Sequence, residues 1–146
     1  MKKDRRKARE AALQTLYRVE LSSEECASDI PKLPTDEESF SLSKGAKEYA
    51  GELVAGVATS LAKIDKTIEE FSVNWTMKRM SVIDKSVLRI AVFELLFHRE
   101  VPFKVVIDEA VELAKTFGTD ESGGFINGIL GKIAEEKGLK KEPLKK

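Results

Sequence analysis

Residues 81–97 read SVIDKSVLRIAVFELLF and place apolar side chains on every side of a helix. A helix without a polar side is normally buried, so this stretch predicts the central helix of a globular domain. Its length of roughly 25 Å at the usual helical rise is too short for a membrane span. Ser81 followed by Asp84 is typical of a capping box, which sets where the helix begins. We expect the other segments to pack around this helix.

The composition fits a helical domain of ordinary type. The chain has 146 residues, with 25 basic and 25 acidic side chains and a net charge of zero. Its four prolines, at positions 31, 34, 102 and 143, all fall between helical patterns, and no stretch sustains the alternation of a strand. The sequence therefore predicts an all-α fold in a single domain over 1–146, with a variable connection at 22–42 and a frayed basic tail at 137–146.

The sequence contains no motif of a known catalytic site. It lacks a phosphate-binding loop, a dinucleotide fingerprint, a nucleophile elbow and zinc-ligand spacing. Its single cysteine, Cys26, excludes an internal disulfide framework. The basic N-terminus is followed by no apolar run, so it is not a secretory signal. We expect a cytoplasmic binding protein that is not an enzyme, has no cofactor or metal and does not associate with membranes.

The most basic segment is KKDRRKAR at residues 2–9, with six basic side chains and one acidic one. It runs into EAALQTLYRVEL, which predicts a helix over about 4–21. Cations at a helix N-terminus are unfavourable, which indicates a use other than stability. One stripe of this helix combines basic side chains with an aromatic ring, a pattern that can hold phosphates and stack a base. A solvated helix start is the equally weighted alternative. The stripe consists of Lys2, Arg6, Arg9, Leu13 and Tyr17.

Three further helices are predicted around the central one. The first covers 43–71, and Gly51 and Gly56 inside it indicate close helix crossings. The second carries an apolar face from 106 to 117, and the third carries one from 125 to 133. Asp108, Glu109 and Glu112 fall in the first turns of the second helix, where acids are favourable, so a solvated helix start is preferred to acid–base chemistry.

Glu94 is the exception within the central helix. It projects between apolar neighbours, and a buried carboxylate needs a partner. We therefore expect Glu94 to form a structural hydrogen bond or ion pair, with a partner that the sequence does not identify.

Five segments together resemble the bacterial NusB family of transcription antitermination factors. They are RRKAREAALQTLY, LVAGV, VIDKSVLRIAVFELLF, VPFKVVIDEAVELAKTFG and SGGFINGIL. The resemblance covers about 5–21 and about 49–134, and its long combination of segments is specific. It implies a compact helical bundle of about six to seven helices in two three-helix subbundles.

The resemblance also implies a function and a set of contacts. Such proteins bind the boxA element of nascent ribosomal RNA together with the ribosomal protein NusE. They join other Nus factors on RNA polymerase and suppress premature termination. The RNA contacts implied at the N-terminus are Arg5, Arg6, Lys7 and Arg9, with Lys2 and Lys3 as auxiliaries. Those implied on the last helix are Glu121, Ser122 and Phe125.

The resemblance places the NusE surface at the start of the central helix and the joint before it. The implied residues are Lys78, Arg79 and Asp84, with Phe103 and Lys104 flanking them. Asp84 thus has two roles open to it, helix capping and partner contact. The chain departs from the family at Gly123 and Gly124, where many relatives have a basic residue, although bare backbone at a helix N-terminus can itself bind phosphate. Tyr17 or Phe125 would stack a base of single-stranded RNA.

Two alternatives stay open from the sequence. In the first alternative, the chain is a pure protein-interaction scaffold or homodimer in which the basic strip meets an acidic partner. It also resembles the N-terminal RNA-recognition module of a ribosomal RNA cytosine methyltransferase. That reading requires an α/β cofactor domain, for which 146 residues leave no room.

Overall fold

The fold is known from a computed structural model, which describes residues 2–25, 43–72 and 80–138. These residues form six helices and contain no strand, which confirms the prediction of an all-α bundle. The helices are α1 (Lys2–Glu25), α2 (Lys44–Thr59), α3 (Leu61–Phe71), α4 (Val82–Phe97), α5 (Phe103–Phe117) and α6 (Ser122–Glu136).

Helix α4 is the central helix that the sequence predicts. It contacts all five other helices, and every residue from Lys85 to Leu95 except Arg89 is buried. The Ser81 hydroxyl accepts a hydrogen bond from the Asp84 amide at 3.1 Å, which confirms Ser81 as the N-cap of the helix. Around this helix, α1 packs closely on α2, and α5 packs closely on α6. The apolar surface of α4 therefore joins the two pairs into one core.

The predicted helix over 43–71 is interrupted at Ser60, whose backbone leaves helical geometry (φ −108°, ψ 22°). Gly56 lies one turn earlier, and the ring of Phe93 occupies the space that a Cβ atom at Gly56 would need. The close crossing predicted at Gly56 is therefore confirmed. At Gly51 the described residues show no such crossing, because none of their atoms outside the local helix comes within 4 Å of the equivalent position.

A cluster of charged side chains joins α1, α3 and α4. Arg89 forms a two-bond ion pair with Asp65, both bonds 2.9 Å long. Glu20 accepts from Lys85 at 2.8 Å and from Arg89 at 3.1 Å. All four side chains are largely buried, so the charges must balance one another.

Helix α1 extends to Glu25, four residues beyond its predicted end at 21, so the connection predicted to begin at 22 begins later. The described residues do not include the remainder of this connection, Lys78, Arg79 or the tail beyond Gly138. The side chains of Lys2 and Lys3 are also outside them, although the backbone of both residues belongs to α1.

Candidate nucleic-acid interface

Arg9 is the residue whose position differs most from the prediction. It is 3% exposed, and its guanidinium donates two hydrogen bonds to the Glu94 carboxylate, from Nε to Oε1 and from Nη2 to Oε2, each 2.8 Å long. A guanidinium that is buried and engaged in this way does not reach an RNA phosphate. The assignment of Arg9 to the RNA-binding strip is therefore wrong. The expectation that Glu94 has a structural partner is confirmed.

Tyr49 completes the surroundings of Glu94. Its hydroxyl donates to Glu94 Oε2 and lies 3.2 Å from His98 Nδ1. Burial, followed by the charge and hydrogen bond of Glu94, raises the pKa of Tyr49 well above its ordinary value. Burial opposes the charge of Arg9, but the hydrogen bonds and charge of Glu94 outweigh it and raise the pKa of Arg9. The cluster therefore holds one cation, one anion and a neutral phenol.

The basic stripe of α1 turns into the core beyond its first turns. Leu13 is 1% exposed, and Tyr17 is half-buried. The stripe is therefore not a continuous exposed strip, because a helix packed on two neighbours has little free surface left. Tyr17 keeps a partly exposed ring, and its role as a stacking residue stays a prediction.

Arg6 remains on the surface and forms an ion pair with Glu109 of α5. Its Nε lies 3.0 Å from Oε1 and its Nη2 lies 2.7 Å from Oε2. The side chain of Arg6 is 54% exposed and that of Glu109 is 18% exposed. The hydrogen bond and the charge of Glu109 raise the pKa of Arg6. Glu109 is thus not the solvated helix-start acid that the sequence suggested, since it joins α5 to α1.

Arg5 and Lys7 complete the described part of the basic segment. The guanidinium carbon of Arg5 lies 4.1 Å from the ring centroid of Tyr49, a cation–π contact on the outer side of the Glu94 cluster. Lys7 is exposed, and the described part of the chain contains no ion-pair partner for it. Lys7 is therefore a cation that is free to meet a phosphate.

A surface groove of about 640 Å³ brings the start of α1 next to the start of α6. Arg6 lines one side, and Gly123 and Gly124 line another. A Cβ atom at Gly123 would come within 3.3 Å of Lys115 Cγ, so the glycine leaves room for that side chain to lie across α6. The groove is lined by Arg6, Asp108, Glu109, Val111, Glu112, Lys115, Gly123, Gly124 and Asn127.

A second depression, of about 260 Å³, lies between the starts of α4 and α6. It brings Asp84, the predicted partner contact, next to Glu121 and Phe125, the predicted RNA contacts. Glu121 is exposed and Phe125 is half-buried. The Asp84 Oδ1 atom is buried and has no hydrogen-bond partner among the described residues. The depression is lined by Met80, Ser81, Asp84, Thr119, Glu121, Ser122 and Phe125.

Ser122 has a different role from the one predicted. It is 2% exposed, and its hydroxyl accepts a hydrogen bond from the Thr119 amide at 3.0 Å. The serine therefore holds the turn that precedes α6, and its assignment as an RNA contact is wrong. This turn also positions Glu121, whose amide donates a hydrogen bond to Thr119 Oγ1 at 3.3 Å.

The described partner residues do not form one patch. Asp84 lies in the first turn of α4, whereas Phe103 and Lys104 follow the end of that helix, which spans roughly 24 Å at the usual rise. Lys104 is exposed and Phe103 packs against the core. Both remain predicted contacts, but at the end of α4 away from Asp84.

Within the described ranges, no three side chains of the His, Cys, Asp and Glu types are grouped in a way that could hold a metal ion. In the same ranges, no helix has the length and apolar character needed to cross a membrane.

The chain matches a known protein family over most of its length. The NusB family model matches residues 6–135, which include both depressions and all six helices in large part. The chain belongs to the NusB family. The resemblance that the sequence segments suggested is therefore confirmed.

Curated NusB relatives match over nearly their whole length. The transcription antitermination protein NusB of Desulfitobacterium hafniense is 41% identical over 140 residues, which cover 94% of this chain and 93% of the relative. The NusB of Myxococcus xanthus is 44% identical over 131 residues, which cover 89% and 94% of the two chains.

Solved NusB structures share the fold. T. maritima NusB superposes with a TM-score of 0.76 at 38% identity, covering 90% of this chain and 91% of that one. A NusB chain solved with NusE and double-stranded RNA superposes with a TM-score of 0.77 at 29% identity, covering 93% and 99%. The six-helix arrangement is thus that of the NusB family.

Proposed function

We propose that this NusB family member is a transcription antitermination factor that binds boxA-type RNA together with a NusE-like ribosomal protein. Its relatives carry the name transcription antitermination protein, and a NusB chain of the same fold has been solved with NusE and double-stranded RNA. Other Nus factors and RNA polymerase are reached through the assembled complex.

The main support for this proposal is the groove, where two segments that lie far apart in the sequence come together. Arg6 comes from the beginning of α1, and Gly123 and Gly124 come from the beginning of α6. Lys7 adds an exposed cation one residue further along α1. Arg and Lys side chains supply sequence-tolerant affinity for a phosphate backbone and make binding salt-dependent.

The second depression supports a shared RNA and protein surface. Phe125 offers an aromatic ring for base stacking, while Asp84 and Glu121 offer carboxylates in the same depression. Because the start of α6 borders both depressions, RNA lying along the groove would reach the place where the partner is expected to dock. The partner would then extend the track that the RNA follows.

The proposal assigns the chain a binding role in the cytoplasm and no catalytic one. The described side chains provide ion pairs, hydrogen bonds and a ring for stacking, and each of these favours recognition of a ligand. Specificity would come from the combined surface with NusE, because the cations of α1 contact phosphates and phosphates carry no sequence information.

The test is titration of a fluorescent boxA RNA with the full chain, with and without NusE, over a range of salt concentrations. We expect Lys7→Ala to weaken binding and to reduce the slope of log K against log salt by about 0.7 for a single-stranded contact. Lys66→Ala is the matched control, because Lys66 is exposed on α3 and lines neither depression. Absence of RNA binding in the presence of NusE would overturn the proposal.

A further inference from the structure

We propose that the Glu109 carboxylate competes with an RNA phosphate for the Arg6 guanidinium. This competition lowers the RNA affinity of the isolated chain. The inference rests on the proposed function, and it adds a residue that limits binding at the same site. It follows from the geometry of one ion pair and from the charges that surround it.

The pair occupies the binding geometry that a phosphate would use. Arg6 donates from Nε and Nη2 to the two carboxylate oxygens of Glu109, at 3.0 and 2.7 Å. The same planar fork of donors matches two oxygens of a phosphate group. A phosphate therefore cannot take both donors of Arg6 until Glu109 gives them up.

Glu109 is the fixed member of the pair. Its neighbour Ala110 is buried in the core, and its Oε1 atom lies 4.0 Å from Nη1 of the buried Arg9. Arg6 is the more exposed partner, at 54% against 18%. The arginine therefore has the freedom to turn toward a ligand, while the carboxylate stays in place.

The groove around the pair is acidic for a surface that meets RNA. Among the described residues that line it, the cations are Arg6 and Lys115 and the acids are Asp108, Glu109 and Glu112. These described side chains carry two positive and three negative charges, and the excess of acid opposes the approach of a phosphate backbone. An exposed ion pair stabilises a fold little, so stability does not account for pairing the cation at the centre of this groove.

The experiment compares RNA binding by the full-length wild type, Glu109→Gln, Arg6→Ala and the double variant. The probe is a single-stranded boxA RNA oligonucleotide, measured by fluorescence anisotropy at low and at high salt. Glutamine keeps the size of the side chain and removes its charge. Glu112→Gln is the matched control, because it removes the same charge from the same groove and leaves the Arg6 pair intact.

We expect Glu109→Gln to tighten binding about two- to fivefold at low salt, the size expected from releasing one exposed ion pair. The salt dependence should become steeper, because a freed Arg6 contributes a full phosphate contact. In the Arg6→Ala background the same substitution should have a clearly smaller effect. Glu112→Gln should differ less between the two backgrounds than Glu109→Gln does, because Glu112 acts on Arg6 through its charge and Glu109 acts through both charge and hydrogen bonds.

Three results would overturn the inference. The first is unchanged or weaker binding by Glu109→Gln with an unchanged thermal midpoint, and the second is equal tightening with and without Arg6. In both cases the wild type still binds RNA, so the proposed function survives. The third is RNA binding by neither wild type nor variant in the absence of NusE, and the proposed function is then decided separately by the titration in the presence of NusE.

Discussion

The guanidinium of Arg9 and the carboxylate of Glu94 form a buried ion pair that joins the start of α1 to the end of α4. Two hydrogen bonds of 2.8 Å link the side chains, which are 4% and 1% exposed. A buried charge is tolerated only when it is paired, so each residue makes the other possible. The pair fixes the orientation of α1, and with it the side from which Arg6 and Lys7 face solvent.

Replacement of Arg9 should therefore act primarily on the free energy of unfolding, and only secondarily on RNA binding. We expect Arg9→Ala to lower the free energy of unfolding by about 3–5 kcal/mol, because it leaves the Glu94 carboxylate buried beside Tyr49 without its cation. Urea titration followed by circular dichroism measures the change. Arg6→Ala is the control and should cost less than about 1 kcal/mol, since its ion pair is exposed. An Arg9→Ala variant with wild-type stability would contradict the structural role of the pair.

The sequence predicted the central helix and the need for a partner at Glu94 because both follow from local pattern. An apolar stretch without a polar side is buried wherever it packs, and a carboxylate within it requires a counter-charge. The identity of that partner did not follow, because Arg9 lies 85 residues away and its neighbours suggested a surface strip. Choosing between surface and core for one arginine in a basic run requires the packing of α1 against α4.

The groove could be predicted only in part for the same reason. Arg6 and the start of α6 were both identified, but nothing in the sequence pairs Arg6 with Glu109, 103 residues further on. The position of Glu109 in the sequence favours a solvated helix start, because acids are favourable in the first turns of a helix. In the structure, the ion pair with Arg6 determines the role of Glu109.

Glu20 should make the stability of the protein sensitive to acid. Burial opposes its ionisation, but hydrogen bonds from Lys85 and Arg89 outweigh burial and lower its pKa below the ordinary 4.5. A lowered pKa stabilises the fold above the unfolded value, and this contribution is lost as the pH falls through the folded value. We expect Glu20→Gln to lose about 1–3 kcal/mol near neutral pH. The difference from wild type should shrink as the pH falls below about 4.5.

Urea titrations at neutral and acidic pH measure this difference. Glu52→Gln, on the exposed side of α2, is the control and should parallel the wild type at each pH. A constant gap between Glu20→Gln and wild type over the acidic range would show that the carboxylate charge is not what stabilises the cluster.

Tyr49 should give the opposite dependence, at alkaline pH. Burial and the neighbouring Glu94 raise its pKa above the ordinary 10.0, so the folded chain keeps a proton that the unfolded chain loses. The stabilisation is complete below about pH 10 and is lost as the pH rises toward the folded value. Tyr49→Phe should be less stable than wild type near neutral pH, because it also loses the hydrogen bond to Glu94. The gap should narrow above about pH 10, by up to about 1.4 kcal/mol per pH unit.

Comparison of wild type with Tyr49→Phe at each pH removes the contribution of the lysines, which titrate in the same range and are present in both. Guanidinium unfolding at neutral and alkaline pH measures the gap. Parallel curves for wild type and Tyr49→Phe would mean that the phenol ionises alike in the folded and unfolded chains.

Two glycines of α2 offer a test of packing against propensity. A Cβ atom at Gly56 would lie 2.2 Å from the ring of Phe93, while one at Gly51 would meet no atom of the described residues outside the local helix within 4 Å. Gly56→Ala should therefore destabilise the fold by about 1–3 kcal/mol, because the ring has to move within a packed core. Gly51→Ala should stabilise it by up to about 1 kcal/mol, since alanine is the better helix former and nothing obstructs it. Thermal unfolding of the two variants measures both effects, and a shift of the same sign in both would contradict the crossing of α2 and α4 at Gly56.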